Sequence, residues 1–170
     1  MSDITVQTLT SEVTIFPSQS DLPDDEKNLC IEARAAMKYS YSPYSNFRVG
    51  AAVLLEDGTI VQGSNQENAA YGPTNCAERS AMFTIGSMGK QDQIRKIAVI
   101  ARPASDMNTP VPLEKEVSGS PCGICRQVMK EYESLSGQKW VILIIQNSDR
   151  VFRIEGVDIL LPFAFGPNSL

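Results

Sequence analysis

Hydrophobic and polar positions change period several times along this chain, and each change marks an element. Residues 1 to 22 alternate weakly and end in PSQSDLPDD, which reads as an arm or an extra strand, not a domain. From about Asp24 to Tyr41 the spacing turns helical: Leu29, Ala33, Ala36 and Met37 share a face, and acidic residues occupy the first turn, where the helix dipole favours them. YSPYSN breaks that pattern. FRVGAAVLLEDGTIVQGSN then reads as two strands joined at Asp57-Gly58, a strong hairpin signal, and Asn65 to Pro73 reads as loop. A second helix is expected from about Asn75 to Met88, and KIAVIA is a short apolar run of the kind buried on both sheet faces. A long loop follows from Arg102 to Gly119, marked by three prolines and scattered charges. The third helix is expected to begin at Pro121, with Ser120 as its N-cap. VILIIQ and VFRIE are further strands, and VDILLPFAFGPNSL closes the chain in a helical turn and tail. Helices alternating with strands predict an α/β fold, a three-layer α/β/α sandwich with helices on both faces of one mixed sheet. The length of 170 residues suits one domain, taken as 23 to 170, behind the arm.

Composition narrows the function. Apolar residues make up 42% and charged residues 21%, the balance of an ordinary globular chain, and no apolar run approaches the length of a bilayer span. The net charge is -5 with no lysine and arginine cluster, which argues against nucleic acid as a partner. No basic residue precedes Lys27, so the start lacks the positive region of a secretory signal and a cytoplasmic location is expected, with no membrane partner. Four cysteines without an export signal point to metal binding or catalysis before disulfides. There is no histidine, so any acid-base chemistry must run on Cys, Glu, Asp, Lys or Tyr.

The candidate chemistry sits at two helix starts. Cys76 and Glu78 stand at the mouth of the second helix, in TNCAERSAMF, and Cys122 and Cys125 open the third, in SPCGICRQVMKEY. Singly, each has a plain explanation: a small buried hydrophobe, a redox pair, or a capping box closed by Glu78 behind Asn75. Together they supply three thiolates, each favoured by a helix N-terminus, and three ligands leave the fourth position of a zinc ion open, the mark of a catalytic site. Cys30 discriminates. It lies beside Leu29 near the apolar stripe of the first helix, where core filling is favoured; as a fourth ligand it would instead make a closed, non-enzymatic scaffold. Three thiolates weaken a Lewis acid, so compensation is needed, and Arg79 and Arg126 are candidates to donate hydrogen bonds to ligand sulfurs, the alternative for each being a solvated surface charge. Glu78 stands where a carboxylate can take a proton from water without binding metal, provided burial raises its pKa. A non-ligand Glu with this cysteine set is the pattern of the zinc deaminases.

The chain resembles the small, homotetrameric type of cytidine deaminase through YSPYSNFRVGAAV, NQENAAYG, NCAERSAMF, PCGICRQ and LLPFAFGP, from about residue 24 to the end. That resemblance implies a five-stranded sheet between helices, one Zn²⁺ per subunit held by Cys76, Cys122 and Cys125, and hydrolysis of cytidine and deoxycytidine to the uridine forms with release of ammonia. It further implies that Glu78 shuttles protons, that Asn65 and Glu67 hydrogen-bond the ribose hydroxyls, that Phe47 packs on the base and that the backbone N–H near Ala77 reads the pyrimidine carbonyl. Tyr71 and Phe165 match positions that reach a neighbouring subunit's pocket, which makes a homotetramer with shared pockets the expected partner state. Without the resemblance, Phe47 would be read as core, Asn65 and Glu67 as turn residues. A deaminase of another aminated heterocycle remains an alternative. The arm and the long loop exceed the compact pattern of the family.

Overall fold

The computed structural model describes residues 4–106 and 109–169. The first three residues of the expected arm, Met107 and Asn108 of the expected loop, and the terminal Leu170 lie outside the described residues. The elements in chain order are β1 (Thr14–Phe16), α1 (Asp24–Ala36), β2 (Phe47–Leu55), β3 (Ile60–Ser64), α2 (Ala77–Ser87), β4 (Ile94–Pro103), α3 (Gly123–Ser136), β5 (Val141–Ile145) and β6 (Val151–Glu155). Among the described residues they form one sheet in the order β1-β6-β5-β4-β2-β3. Strands β4 and β5 run parallel, joined through α3, and every other neighbouring pair is antiparallel.

The sandwich is as expected, with a corrected strand count: six strands, not five. The extra strand is β1, where Thr14, Ile15 and Phe16 of the arm pair with Arg153, Phe152 and Val151. It falls in the weakly alternating segment read above as an arm or an extra strand, and for these three residues the strand reading holds. Two helix boundaries also differ. The first helix ends at Ala36 and passes into a 3-10 turn over Met37–Tyr39 before Ser40 turns extended. The third does not start at Pro121 on a Ser120 cap; Cys122 is the extended N-cap residue, and the Ser120 hydroxyl pairs with that of Ser118.

Strand periodicity sorts the core into two halves. Ala52, Ala98, Ile100, Leu143 and Ile145 face α1, which presents Leu29, Cys30 and Ala33. Ala51, Val53, Ile97, Val99, Ile142 and Ile144 face the opposite way, toward Ala77, Ala81 and Ile85 of α2 and Met129 of α3. Each fully buried Leu, Ile or Val stabilises by about 1.5–3 kcal/mol, so the central strands hold both helix layers firmly. No helix among the described residues is long and apolar enough to cross a membrane.

Two glycines set how close the helices come. A Cβ on Gly50 in β2 would lie 2.0 Å from the Ala33 carbonyl oxygen of α1, and one on Gly63 in β3 would lie 2.3 Å from the Ala77 carbonyl oxygen and 2.6 Å from the Ala81 nitrogen. Both obstructions are backbone, which cannot swing aside. Gly63→Ala should therefore push α2 off the sheet and lower unfolding free energy by about 1–3 kcal/mol, the range for overpacked sites, with reduced bound metal. Urea denaturation with metal analysis checks this; Gly72→Ala, whose Cβ would meet only the Ala70 carbonyl oxygen at 3.8 Å, should leave both unchanged.

Candidate active site

The antiparallel pairing of β2 with β4 places the start of β2, the end of β3 and the end of β4 at one edge of the sheet: Phe47 pairs with Pro103, and Gly50 with both Ile100 and Ser64. The N-termini of α2 and α3 open at this same edge. Cys76 caps α2 and Cys122 caps α3, each in extended conformation and neither spending its side chain on a cap hydrogen bond, while Cys125 lies in the first turn of α3. The three Sγ atoms are within 4.8 Å of one another, with Cys76 to Cys122 at 3.9 Å and Cys122 to Cys125 at 3.4 Å. All are free thiols, far beyond a disulfide bond length of about 2 Å. A tetrahedral zinc with bonds of about 2.3 Å to sulfur separates its ligands by roughly 3.8 Å, so the three sulfurs fit one such ion.

Cys30 takes no part. It is fully buried on α1, in the half-core across the sheet from the sulfurs, and burial pushes its thiol up to about 12, so it stays neutral. A closed four-cysteine scaffold is not what the structure supports. The Cys76 thiol is drawn down to about 5 by a hydrogen bond from Cys125, against the effect of burial and with help from Arg79, and the same bond drives the Cys125 thiol up. Arg79 makes the contact expected of it: Nη2 donates to the Cys76 Sγ at 3.8 Å and to the Thr74 carbonyl at 3.2 Å. Arg126 does not. Its Nε donates to the Pro121 carbonyl and its Nη1 to the Leu160 carbonyl, both at 2.8 Å, so it braces backbone on either side of α3 and gives no hydrogen bond to a ligand sulfur.

Glu78 is only 3% exposed, one turn-position inside α2, and burial pushes its carboxyl up to about 7, with the negative Cys76 adding to the rise. It closes no capping box, because Cys76 and not Asn75 is the cap and the Asn75 amide donates to Ser80 Oγ at 3.1 Å. Ala77, ahead of Glu78, is the first residue of α2, so its N–H has no acceptor within the helix.

A cavity of about 310 Å³ opens over these groups, walled by Phe47, Asn65, Glu67, Cys76, Glu78 and Cys122. Small-molecule pockets run from about 300 to 1,000 Å³, so it suits a compact ligand. Asn65 extends the β2–β3 ladder with its side chain: Nδ2 donates to the Phe47 carbonyl at 3.0 Å, and Oδ1 accepts from Val49 N at 2.9 Å and from the Ser40 hydroxyl. One amide hydrogen is left over. Glu67 accepts from the backbone N–H groups of Tyr44 and Ser45 at 3.0 and 3.2 Å and from the Ser45 hydroxyl, which holds its pKa down. Ser45 Oγ in turn accepts from Phe47 N at 3.0 Å, so the carboxylate and the aromatic ring are fixed through one hydroxyl. Tyr71 and Phe165 lie outside this cavity. Tyr71, at φ 54, and Phe165 are both exposed, and the Phe165 carbonyl accepts from Gln127 Nε2 at 2.8 Å. The sequence marked Ser120 and Asn75 only as helix caps and gave Ser118 and Gly119 no role of their own; Ser118, Gly119 and Ser120 form the outer wall, and the Asn75 Oδ1 is buried without a partner among the described residues. A polar loop carries no periodic signal by which such residues could be found.

An α/β/α sandwich that gathers three free thiols and a buried carboxylate at two helix starts is the architecture of a zinc-dependent deaminase. Residues 23–142 match the model of the cytidine and deoxycytidylate deaminase zinc-binding region. Over 148 residues the chain is 42% identical to a cytidine deaminase of Sporosarcina psychrophila, covering 86% of this chain and 95% of that one. It is 49% identical over 107 residues to one of Halalkalibacterium halodurans, 63% of this chain and 71% of the relative. The crystal structure of cytidine deaminase from Burkholderia pseudomallei superposes with a TM-score of 0.63 at 37% identity, over 81% of this chain and 97% of the other. The chain belongs to the cytidine and deoxycytidylate deaminase family, and it is a hydrolytic deaminase.

Replacing Cys125 with Ala should strip bound zinc, whereas Cys30→Ala should leave it at the wild-type level. Metal analysis of the purified variants decides this, and loss of zinc from the Cys30 variant would contradict the three-sulfur site.

Proposed function

We propose that the protein hydrolyses cytidine and deoxycytidine to uridine and deoxyuridine with release of ammonia, serving pyrimidine salvage in the cytoplasm. The observation that carries this reading is the buried Glu78 beside three convergent sulfurs, at the floor of a cavity with Phe47 on its wall. Cys76, Cys122 and Cys125 would hold the zinc, one ion per subunit. When bound, zinc supplies a Lewis acid that makes water a nucleophile near neutral pH.

The chain's own groups do the rest. Glu78 accepts one proton from the attacking water and delivers it to ring N3 as oxygen adds at C4, then takes the second from the resulting C4 hydroxyl and passes it to the amino group, so that the C4–N bond breaks, ammonia leaves and the C4 carbonyl forms. A carboxyl near pH 7 is suited to both transfers. The Ala77 N–H donates to the pyrimidine O2. Phe47 packs on the base, and the Glu67 carboxylate and the free Asn65 amide hydrogen meet the ribose hydroxyls. Arg79 tempers the charge on Cys76, and Arg126 acts one step further out by holding Pro121 ahead of Cys122. Exposed Tyr71 and Phe165 suit a role in a neighbouring subunit's pocket within a homotetramer. On this reading residues 23 to 170 are the deaminase domain and residues 1 to 22 its arm.

The test is release of uridine from cytidine by purified protein, followed in the ultraviolet with and without chelator. Glu78→Gln should keep fold and zinc while lowering kcat by about 100-fold or more, the low end of general acid-base contributions; turnover near the wild-type rate would remove Glu78 from the mechanism. The ionised Glu67 on the cavity wall also repels a phosphate. Cytidine 5′-monophosphate should therefore show kcat/KM at least about tenfold below cytidine, and equal efficiency would place the nucleotide inside the substrate class.

A further inference from the structure

The outer wall of the cavity is a short span between two fixed points. Ser118, Gly119 and Ser120 line the cavity, and Gly119 lies so close to β4 that a Cβ there would come within 2.8 Å of the Ala101 side chain. On one side, the carbonyl of buried Pro121 is held by Arg126 Nε at 2.8 Å. On the other, Val117 N donates to Asn147 Oδ1 at 2.8 Å. Asn147 is buried in the turn between β5 and β6, and its carbonyl also accepts from Val111 N at 2.9 Å. Next to that anchor, Glu116 is gripped from the same turn: Arg150 Nε donates to Oε2 at 3.0 Å and Nη2 to Oε1 at 2.6 Å, and the Ser148 hydroxyl donates to the same carboxylate. The Glu116 side chain is 13% exposed and that of Arg150 31%, so the pair is half-buried, and what sets it apart from a simple surface contact is its two-pronged geometry.

Among the described residues neither Glu116 nor Arg150 hydrogen-bonds a ligand sulfur or Glu78, and the chain next to Glu116 leads directly into the wall. We propose that the Glu116–Arg150 pair is a latch that sets the position of Ser118–Ser120, and so fixes how tightly the cavity closes on its nucleoside without acting on proton transfer; this rests on the reading of the cavity as a nucleoside pocket. Glu116 and Arg150 are positioning residues. The wall contacts the ligand alike in ground and transition states, and loss of such uniform binding raises KM while sparing kcat.

Glu116→Gln and Arg150→Gln should each raise KM for cytidine by about tenfold, within the range by which residues without ligand contact modulate binding. Zinc content and kcat should stay within about twofold, because the sulfur site and Glu78 are held by other elements. The double variant should be no worse than either single one, since both break the same pair. Hydrogen exchange at Val117, whose N–H is bonded to Asn147 Oδ1, measured on zinc-loaded protein without ligand, should quicken in each variant. KM within about twofold of wild type in both variants, a kcat loss that follows zinc loss, or additive single effects would overturn the latch. Should wild-type protein release no uridine, the nucleoside reading fails by itself, and exchange at Val117 still decides whether the pair holds the wall: unchanged rates would refute it.

Discussion

The whole site depends on two helix starts being set down at one sheet edge, close enough for their sulfurs to share a single ion. Cys76 and Cys122 are 46 residues apart and ride on different helices, yet their sulfurs come within 3.9 Å. A metal site tolerates errors of only about 0.5 Å in such placement. That tolerance is met by backbone contact and not by the thiols themselves. Gly63 lets the first turn of α2 rest on β3, and the parallel β4–α3–β5 connection returns α3 to the same face, where Met129 packs beside Ile85 and Val99 in one half-core. The three sulfurs are thus carried on helices that are packed against the sheet by close backbone approach and a shared half-core.

That placement also settles the electrostatics. Three thiolates and a carboxylate in one corner, with Cys125 and Glu78 buried, would repel each other strongly, and the fold offers two helix N-termini, each equivalent to roughly half a positive charge, together with Arg79. These do not neutralise the set. Protons reduce the charge further: the Cys125 thiol is driven up and stays neutral, burial raises Glu78 to about 7, and Cys76 is drawn down to about 5. A thiol that holds its proton must release it to ligate a metal, so metal affinity at such a set of cysteines is coupled to pH. The rise at Glu78 is chiefly an effect of burial, to which the Cys76 charge adds.

Much of this was legible in the sequence because it is periodic or punctuated. The Asp57-Gly58 hairpin, the apolar stripe of α1 and the paired cysteines at helix mouths announce themselves through spacing, and the structure brings Cys76, Cys122 and Cys125 together as that spacing suggested. What spacing hid was geometry decided by contact. Ser120 and Pro121 carry the usual signature of a helix start, but the helix begins two residues later on Cys122, whose thiol must project from an extended cap to reach Cys76. Arg126 follows a ligand just as Arg79 does nearly so, yet its helix position turns it toward the Pro121 and Leu160 carbonyls. Weak alternation before residue 22 left arm and extra strand both open, and the edge of β6, a long-range contact, makes Thr14–Phe16 a strand.

The turn between β5 and β6 shows how the two faces of the sheet are tied together away from the metal. Its consecutive residues point in alternate directions: Ser148 and Arg150 hold Glu116 of the long loop, while Asp149 between them accepts from Arg34 of α1 at 3.1 Å and from Gln19 of the arm. Asp149 sits at φ 77, a left-handed conformation that Asp tolerates better than most residues, and that backbone reversal lets neighbours face opposite ways. Arm, first helix and cavity wall therefore meet at one short polar turn. A chain with a longer arm and a longer loop has to anchor both, and anchoring them at a common point makes the wall's position answer to contacts on the far face of the sheet. The floor of the cavity is fixed by apolar packing that forms with the core, while its rim is fixed by ion pairs and amide bonds that could change without disturbing that core.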